Sequence, residues 1–168
     1  MGDPARVIII QSDSAGWHGT GGLIGEMDDI NPLFHSQQWD ESDDNYAADH
    51  SMWGELVGLY RMLLQCNRRE VLMVWVSDAQ SAVWAINKGR ARHDINADLL
   101  RILFDHCDDH HIILIALWVP RELNMLADSL SHYAHSLDRR EVSGRLQELR
   151  TQAAGAGGEP KSNKAGGY

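Results

Sequence analysis

The chain has 168 residues, of which 43% are hydrophobic and 23% are charged, a composition typical of a single globular domain. Its formal net charge of −9 argues against sequence-independent coating of DNA, which requires a basic surface, but leaves open a nucleic-acid enzyme whose carboxylates bind metal ions. The longest apolar run, residues 112–119, is too short to cross a bilayer and the N-terminus lacks the shape of a signal peptide, so we expect no membrane segment and an intracellular location, in the cytoplasm or the nucleus.

The first third of the chain predicts three strands. Residues 7–10 are a continuous β-branched run, which suits a buried strand that leads towards Asp13. The glycine-dense segment 14–22 favours a sharp turn into a second strand around residues 22–24, and residues 33–39 predict a third. Strands joined by short connections in this way pair as an antiparallel meander.

After an acidic loop, helices and strands alternate. Apolar residues recur at helical spacing, two nearly continuous apolar runs predict strands, and Pro120 breaks the second of them. This order indicates an α/β domain with a mixed sheet covered by helices. The predicted elements are a helix over about 51–67, a strand over 71–77, a helix over 79–88 that stops at Gly89, a helix over 94–109, a strand over 112–119 and a helix over 122–135.

The end of the chain differs in composition from the rest. We place the domain at residues 5–138 and predict one more helix, charged and rich in arginine, over residues 139–152. Residues 153–168 are rich in Gly, Ala and Lys with nothing to bury, so we predict a disordered tail or a linker. Cys66 and Cys107 fall in predicted helices and indicate buried thiols in a reducing compartment, with a disulfide or a metal ligand as the alternative.

Four acidic residues indicate a metal site. Glu55 and Asp128 interrupt the apolar stripes of two predicted helices, where a carboxylate is costly unless it is paired or binds a metal ion. Asp13 and Asp78 follow two predicted strands, where Asp13 could instead be a turn residue and Asp78 a helix N-cap. Carboxylates gathered from separate elements are the ligands that a hydrolytic Mg²⁺ site requires.

Several other side chains bear on this site. Asn124 and His132 lie four residues before and after Asp128, so on a helix all three can face one site. Asn124 could hold Asp128 or contact a substrate, and for His132 an exposed side chain without a role is the alternative. We expect Trp17 in the core, with a place beside a bound nucleic acid as the alternative. A basic connector could contact phosphates or be merely solvated; it contains Lys88, Arg90 and Arg92.

The motifs that surround these acids resemble a ribonuclease H domain, of the kind joined to reverse transcriptases in retrotransposons and plant pararetroviruses. The matching pieces span residues 5–135 and are QSDSAGWHGTGG, the glutamate of MWGELVGLYRML, the SDAQSAV block and WVPRELNMLADSLSH. The last piece is the most specific, because the family shows an aromatic-rich strand, a break at proline, and then N-x-x-A-D-x-L-S. The resemblance implies an upstream reverse transcriptase domain as a partner.

The resemblance also implies a fold, a site and an activity. The implied fold is ribonuclease H-like, with a five-stranded mixed sheet of three antiparallel and then two parallel strands, helices on both faces, and the first and fourth strands adjacent. Asp13, Glu55, Asp78 and Asp128 would be the catalytic, metal-binding residues for two Mg²⁺ ions, with Mn²⁺ as an alternative. The implied activity is endonucleolytic hydrolysis of the RNA strand of RNA–DNA hybrids. Candidate contacts to the RNA 2′-hydroxyls are Ser14, Gln80 and Asn124.

The sequence departs from the family at the segment before the last helix. Many members carry a histidine on a mobile loop there that helps to release product, whereas VPREL has none, so either Glu122 or His132 takes its place or product release is slower. Two alternatives follow. An integrase- or transposase-like polynucleotidyl transferase would use Glu122 as its late acid, and a catalytically degenerate module would bind nucleic acid or a protein without cutting.

Overall fold

The fold is described from a computed structural model, over residues 6–26, 32–40, 43, 46, 47 and 49–132. The predicted domain boundary at residue 138, the helix over 139–152 and the tail over 153–168 lie outside these residues. The described elements are, in chain order, strands β1 (Val7–Ala15), β2 (Gly19–Glu26) and β3 (Leu33–Gln38), helix α1 (Ser51–Cys66), strand β4 (Val71–Ser77), helices α2 (Gln80–Lys88) and α3 (Asp94–Asp109), strand β5 (Ile112–Trp118), a 3-10 turn (Arg121–Leu123) and helix α4 (Met125–His132).

The five strands form one mixed sheet in the order β3-β2-β1-β4-β5. β1 pairs antiparallel with β2, and β2 with β3, whereas β4 lies parallel to both β1 and β5. Ile10 therefore faces Ile24 on one side and Trp75 on the other. The predicted five-stranded arrangement, with three antiparallel strands followed by two parallel ones, is confirmed.

The first two strands are longer than the residue pattern indicated. β1 continues past the β-branched run to Ala15, and Asp13 lies inside the strand instead of after it. The reason is the partner strand, because β2 begins at Gly19 and its glycines pair with the polar end of β1. A glycine-rich stretch that predicted a turn therefore forms strand, with only residues 16–18 left to connect the two.

Helices cover the sheet from two sides. Side chains on the β1 face that carries Ile8 and Ile10 pack in the core with buried residues of α1, α2 and α3, around the fully buried Trp75. Helix α4 packs on the other face, across β1, β2 and β3. Of the helices in the described ranges, none is long and apolar enough to cross a membrane.

Candidate metal centre

Three of the four predicted acids meet at one end of the sheet. Asp13 belongs to β1 and Asp78 directly follows β4, and these strands are parallel neighbours. Glu55 comes from α1, which packs over the same strand end. One carboxylate oxygen from each residue lies within 4.8 Å of the others, and no other group of three such ligands occurs in the described part of the chain.

Two glycines allow α1 to approach the sheet closely enough to bring Glu55 there. A Cβ atom at Gly54 would lie 2.9 Å from Ser14 Oγ, and one at Gly58 would lie 3.3 Å from Thr20 Cγ2. Both positions therefore leave no room for a larger side chain without movement of a neighbour. These glycines lie on either side of Glu55 in the sequence, one helical turn apart. They allow the Glu55 carboxylate to lie close to β1.

Among the described residues, Glu55 finds donors for only one of its two oxygens. Ser14 donates to Oε1 from its backbone N at 3.3 Å and from its Oγ at 3.1 Å. Oε2 is buried and finds no donor among the described residues, and the whole residue is only 6% exposed. A buried carboxylate oxygen without a donor costs free energy unless a cation satisfies it.

Burial of the acids changes their protonation. Burial is the main cause that raises the pKa of Asp13 from its usual 3.8 to about 7; the Glu55 carboxyl and the Ser14 amide lower it, while Asp128 and Asp78 raise it. Burial, followed by the charge of Asp13, raises the pKa of Glu55 well above its usual value. Neither residue has a lysine or arginine among these neighbours. Metal-free, the cluster therefore retains protons that a divalent cation would displace.

Asp128 lies beside this group but outside its closest part. It is close enough to Asp13 to raise the pKa of that carboxyl. It also pairs with Arg121 Nη2 at 3.7 Å and with His132 Nε2 at 3.4 Å. The structure thus brings the fourth predicted acid to the rim of the cluster, where the Arg121 guanidinium partly neutralises it and His132 contacts it.

The three predicted substrate contacts occupy different settings. Gln80 is exposed at the first residue of α2, two residues after Asp78. Ser14 is half-buried and bonded to Glu55. Asn124 is fully buried, and its Nδ2 donates to Ser12 O at 3.1 Å and to Asp78 Oδ1 at 3.3 Å. Of the three, Gln80 alone is fully accessible to a ligand.

Two tryptophans differ from expectation. The prediction of Trp17 as a core residue is wrong: it is 63% exposed, because the connection between β1 and β2 carries it away from the sheet. Trp118 was not recognised from the sequence, yet its Nε1 donates to Asp78 O at 3.0 Å. The register that pairs Ser77 with Trp118 places this indole beside the residue that follows β4. Arg121, also unrecognised, reaches Asp128 from the 3-10 turn.

The donor set fits a divalent metal ion. Carboxylate oxygens are the ligands that Mg²⁺ and Mn²⁺ prefer. The orphaned Glu55 Oε2 supplies a ligand atom that no protein donor occupies among the described residues. Asp13, Glu55 and Asp78 are therefore the residues able to hold such an ion, with Asp128 at their edge.

Comparison with known proteins adds the fold family. No protein-family model matches the chain, and no curated protein sequence matches it. Solved structures do match. The N-terminal RNase H domain of a Mycobacterium tuberculosis protein aligns over 86% of this chain and 99% of its own, with a TM-score of 0.56 and 16% identity. The fold is RNase H-like.

Two further structures agree. An RNase H1 named LC11, isolated from compost by a metagenomic approach and solved in complex with an RNA/DNA hybrid, aligns over 74% of this chain and 91% of its own, with a TM-score of 0.57 and 17% identity. RNase H1 from the archaeon Halobacterium salinarum aligns over 78% and 97%, with a TM-score of 0.52 and 13% identity. At these identities the likeness concerns the RNase H-like fold.

Proposed function

We propose that this RNase H-like domain is a metal-dependent endonuclease that hydrolyses the RNA strand of RNA–DNA hybrids. The observation that carries the proposal is the group of three carboxylates within 4.8 Å, one of which holds a buried oxygen without a donor in the described part of the chain. Clustered acids of this kind are destabilising by themselves, so their presence at a strand end is best explained by a cation that they bind.

The residues have distinct roles in this proposal. Asp13, Glu55 and Asp78 hold the metal, Mg²⁺ or Mn²⁺, and Asp128 completes the set. Bound divalent ions lower the pKa of an attacking water and stabilise the oxygen that leaves the cleaved phosphodiester. Ser14 holds Glu55 in place through two hydrogen bonds. Arg121 and His132 hold Asp128 at the rim.

Substrate binding is proposed for exposed groups near the acids. Gln80 is accessible and close in sequence to Asp78, so its amide suits a contact to a 2′-hydroxyl. Lys88, Arg90 and Arg92 are all exposed at and beyond the end of α2, and the Arg90 guanidinium lies 5.6 Å from the ring centre of Trp84. This combination of cations and an exposed aromatic ring suits the phosphates and sugars of a hybrid.

The biological setting is a separate proposal. The N-x-x-A-D-x-L-S piece around Asp128 favours a domain that follows a retroelement reverse transcriptase. The polynucleotidyl transferase alternative would need Glu122 beside Asp13 and Asp78. Glu122 is exposed on the 3-10 turn and is not among the three grouped ligands, whereas Glu55 is, which favours the nuclease.

A cleavage assay tests the proposed activity. We expect end-labelled RNA in an RNA–DNA hybrid to be cut by the wild-type domain with Mg²⁺ and not with EDTA, and single-stranded RNA to remain intact. Asp78→Asn removes one ligand oxygen at constant size and is expected to abolish cutting. Asp105→Asn, an exposed acid on α3, is the matched control. Equal cutting by wild type and Asp78→Asn, or none by either, would refute the proposal.

A further inference from the structure

A second layer of hydrogen bonds lies behind the carboxylates. Asn124 is 0% exposed, and both hydrogens of its amide are used, one for Ser12 O and one for Asp78 Oδ1. Ser12 immediately precedes Asp13 on β1. A single side chain therefore joins the strand that carries Asp13 to the carboxylate that follows β4.

The surroundings of Asn124 fix this side chain firmly. Its backbone N donates to Arg121 O at 2.9 Å, and Gln11 Nε2 donates to Leu123 O at 2.7 Å, so the turn is tied to β1. Ser12 is itself fixed, because Trp75 Nε1 donates to its Oγ at 2.7 Å in the core. The anchor for Asp78 is thus continuous with the rigid centre of the sheet.

The acceptor and the donors of the Asn124 amide are used differently. Its Oδ1 is buried and has no hydrogen-bond partner among the described residues. An apolar residue of similar size would avoid an unsatisfied acceptor, so the amide is retained for its donor hydrogens. A neutral donor orients an ionised carboxylate without the positive charge of lysine or arginine, which would compete with a metal ion for the same oxygen.

We propose that Asn124 is a positioning residue that aims the Asp78 carboxylate at the metal centre. Trp118 holds the backbone carbonyl of Asp78, so main chain and side chain are anchored separately. The inference rests on the proposed function and replaces a substrate contact with a structural link between two metal ligands. Residues that orient the ligands of a metal typically change its affinity by about 10- to 100-fold when they are removed.

The test measures metal affinity directly. We expect Asn124→Ala to weaken calorimetric Mn²⁺ binding by about 10- to 100-fold and to shift half-maximal hybrid cleavage to higher metal concentration, with an unchanged KM for the hybrid. Asn96→Ala is the matched control, because Asn96 is also buried with an unpartnered Oδ1 but lies on α3, away from the acids. Thermal unfolding of both variants separates lost stability from lost metal affinity.

Asn124→Leu replaces the amide with a branched apolar side chain and removes both donor hydrogens, so it covers the case in which Asn124→Ala does not fold. We expect its Mn²⁺ affinity to fall several-fold. Wild-type Mn²⁺ affinity in folded Asn124→Ala, or in Asn124→Leu if Asn124→Ala does not fold, would overturn the inference. A wild-type protein that binds Mn²⁺ but does not cut hybrid would overturn the proposed function alone, because the affinity comparison does not depend on cleavage. A wild-type protein that binds no divalent ion would overturn both.

Discussion

The protonation of Asp13 should make the metal-free domain more stable in acid than at neutral pH. The folded state holds the Asp13 proton up to about pH 7, whereas the unfolded chain releases it near 3.8. The folded state therefore binds more protons between these values, and stability falls as the pH rises through this window. We expect the substitution Asp13→Asn, which cannot ionise, to remove this loss.

The size of the effect follows from the same two values. A difference between 3.8 and about 7 corresponds to about 4 kcal/mol at about 1.36 kcal/mol per pH unit. Somewhat more than half of it, about 2–3 kcal/mol, falls between about pH 5 and about pH 8. In EDTA, the stability of Asp13→Asn relative to wild type should rise by about this amount from the lower to the higher pH.

Urea unfolding followed by tryptophan fluorescence measures the difference, since Trp75 is fully buried in the core. The difference between the two proteins removes pH effects that they share. Mn²⁺ provides the converse test: at about 100 times its dissociation constant it should stabilise wild type by about 2.7 kcal/mol and leave Asp13→Asn almost unchanged. A wild-type protein whose stability relative to Asp13→Asn does not change with pH would refute the argument that burial drives this pKa.

Three further substitutions test the surroundings of the site. Gly54→Ala should cost about 1–3 kcal/mol in urea unfolding and reduce cleavage, because its Cβ would crowd Ser14; unchanged values would show that α1 can move freely. Asn87→Ala should cost about 1–2 kcal/mol and leave cleavage intact, because Asn87 bonds both backbone groups of Ala116 on β5, and a cleavage defect in the folded variant would contradict this. Trp17→Ala should change the free energy of unfolding by no more than about 0.5 kcal/mol, since the ring is exposed; a larger loss would mean that it packs in the fold.

Much of the secondary structure could be predicted because the apolar residues of most elements recur with the spacing of a helix or a strand. The strand over Val71–Ser77 and the helix over Asp94–Asp109 have the predicted bounds, because their apolar residues and end signals agree. β2 was less predictable, since Gly21 and Gly22 indicate a turn when considered alone. Their strand conformation depends on the tertiary structure: a Cβ at Gly21 would overlap Leu130 and Ser131 of α4, and one at Gly22 would overlap Met62 of α1. Local sequence does not report such long-range packing.

The candidate site could likewise be predicted only where the signal is local in the sequence. Glu55 could be recognised from the sequence because it interrupts a buried stripe, which is a local signal. The predicted place of Asn124 rested on a continuous helix that would align it with Asp128. Instead, a 3-10 turn ends at Leu123 and α4 begins at Met125, so Asn124 lies at the junction and faces Asp78. That contact depends on the adjacency of β1 and β4 in the sheet, which the spacing of residues in the sequence does not predict.

The four acids differ in the contacts that they make when no metal ion is bound. We expect this difference to set how much each acid affects stability and metal binding. Asp13 and Glu55 are buried without a cationic partner among their neighbours, so their charges oppose folding until a metal ion binds. The Asp128 side chain is 26% exposed and already paired with Arg121 and His132. In the proposed metal site, the two buried acids would couple metal binding to stability, while Asp128 would exchange its contacts with Arg121 and His132 for the metal. In the proposed site the ion would therefore be held mainly by Asp13, Glu55 and Asp78, with Asp128 as the ligand from the last described helix.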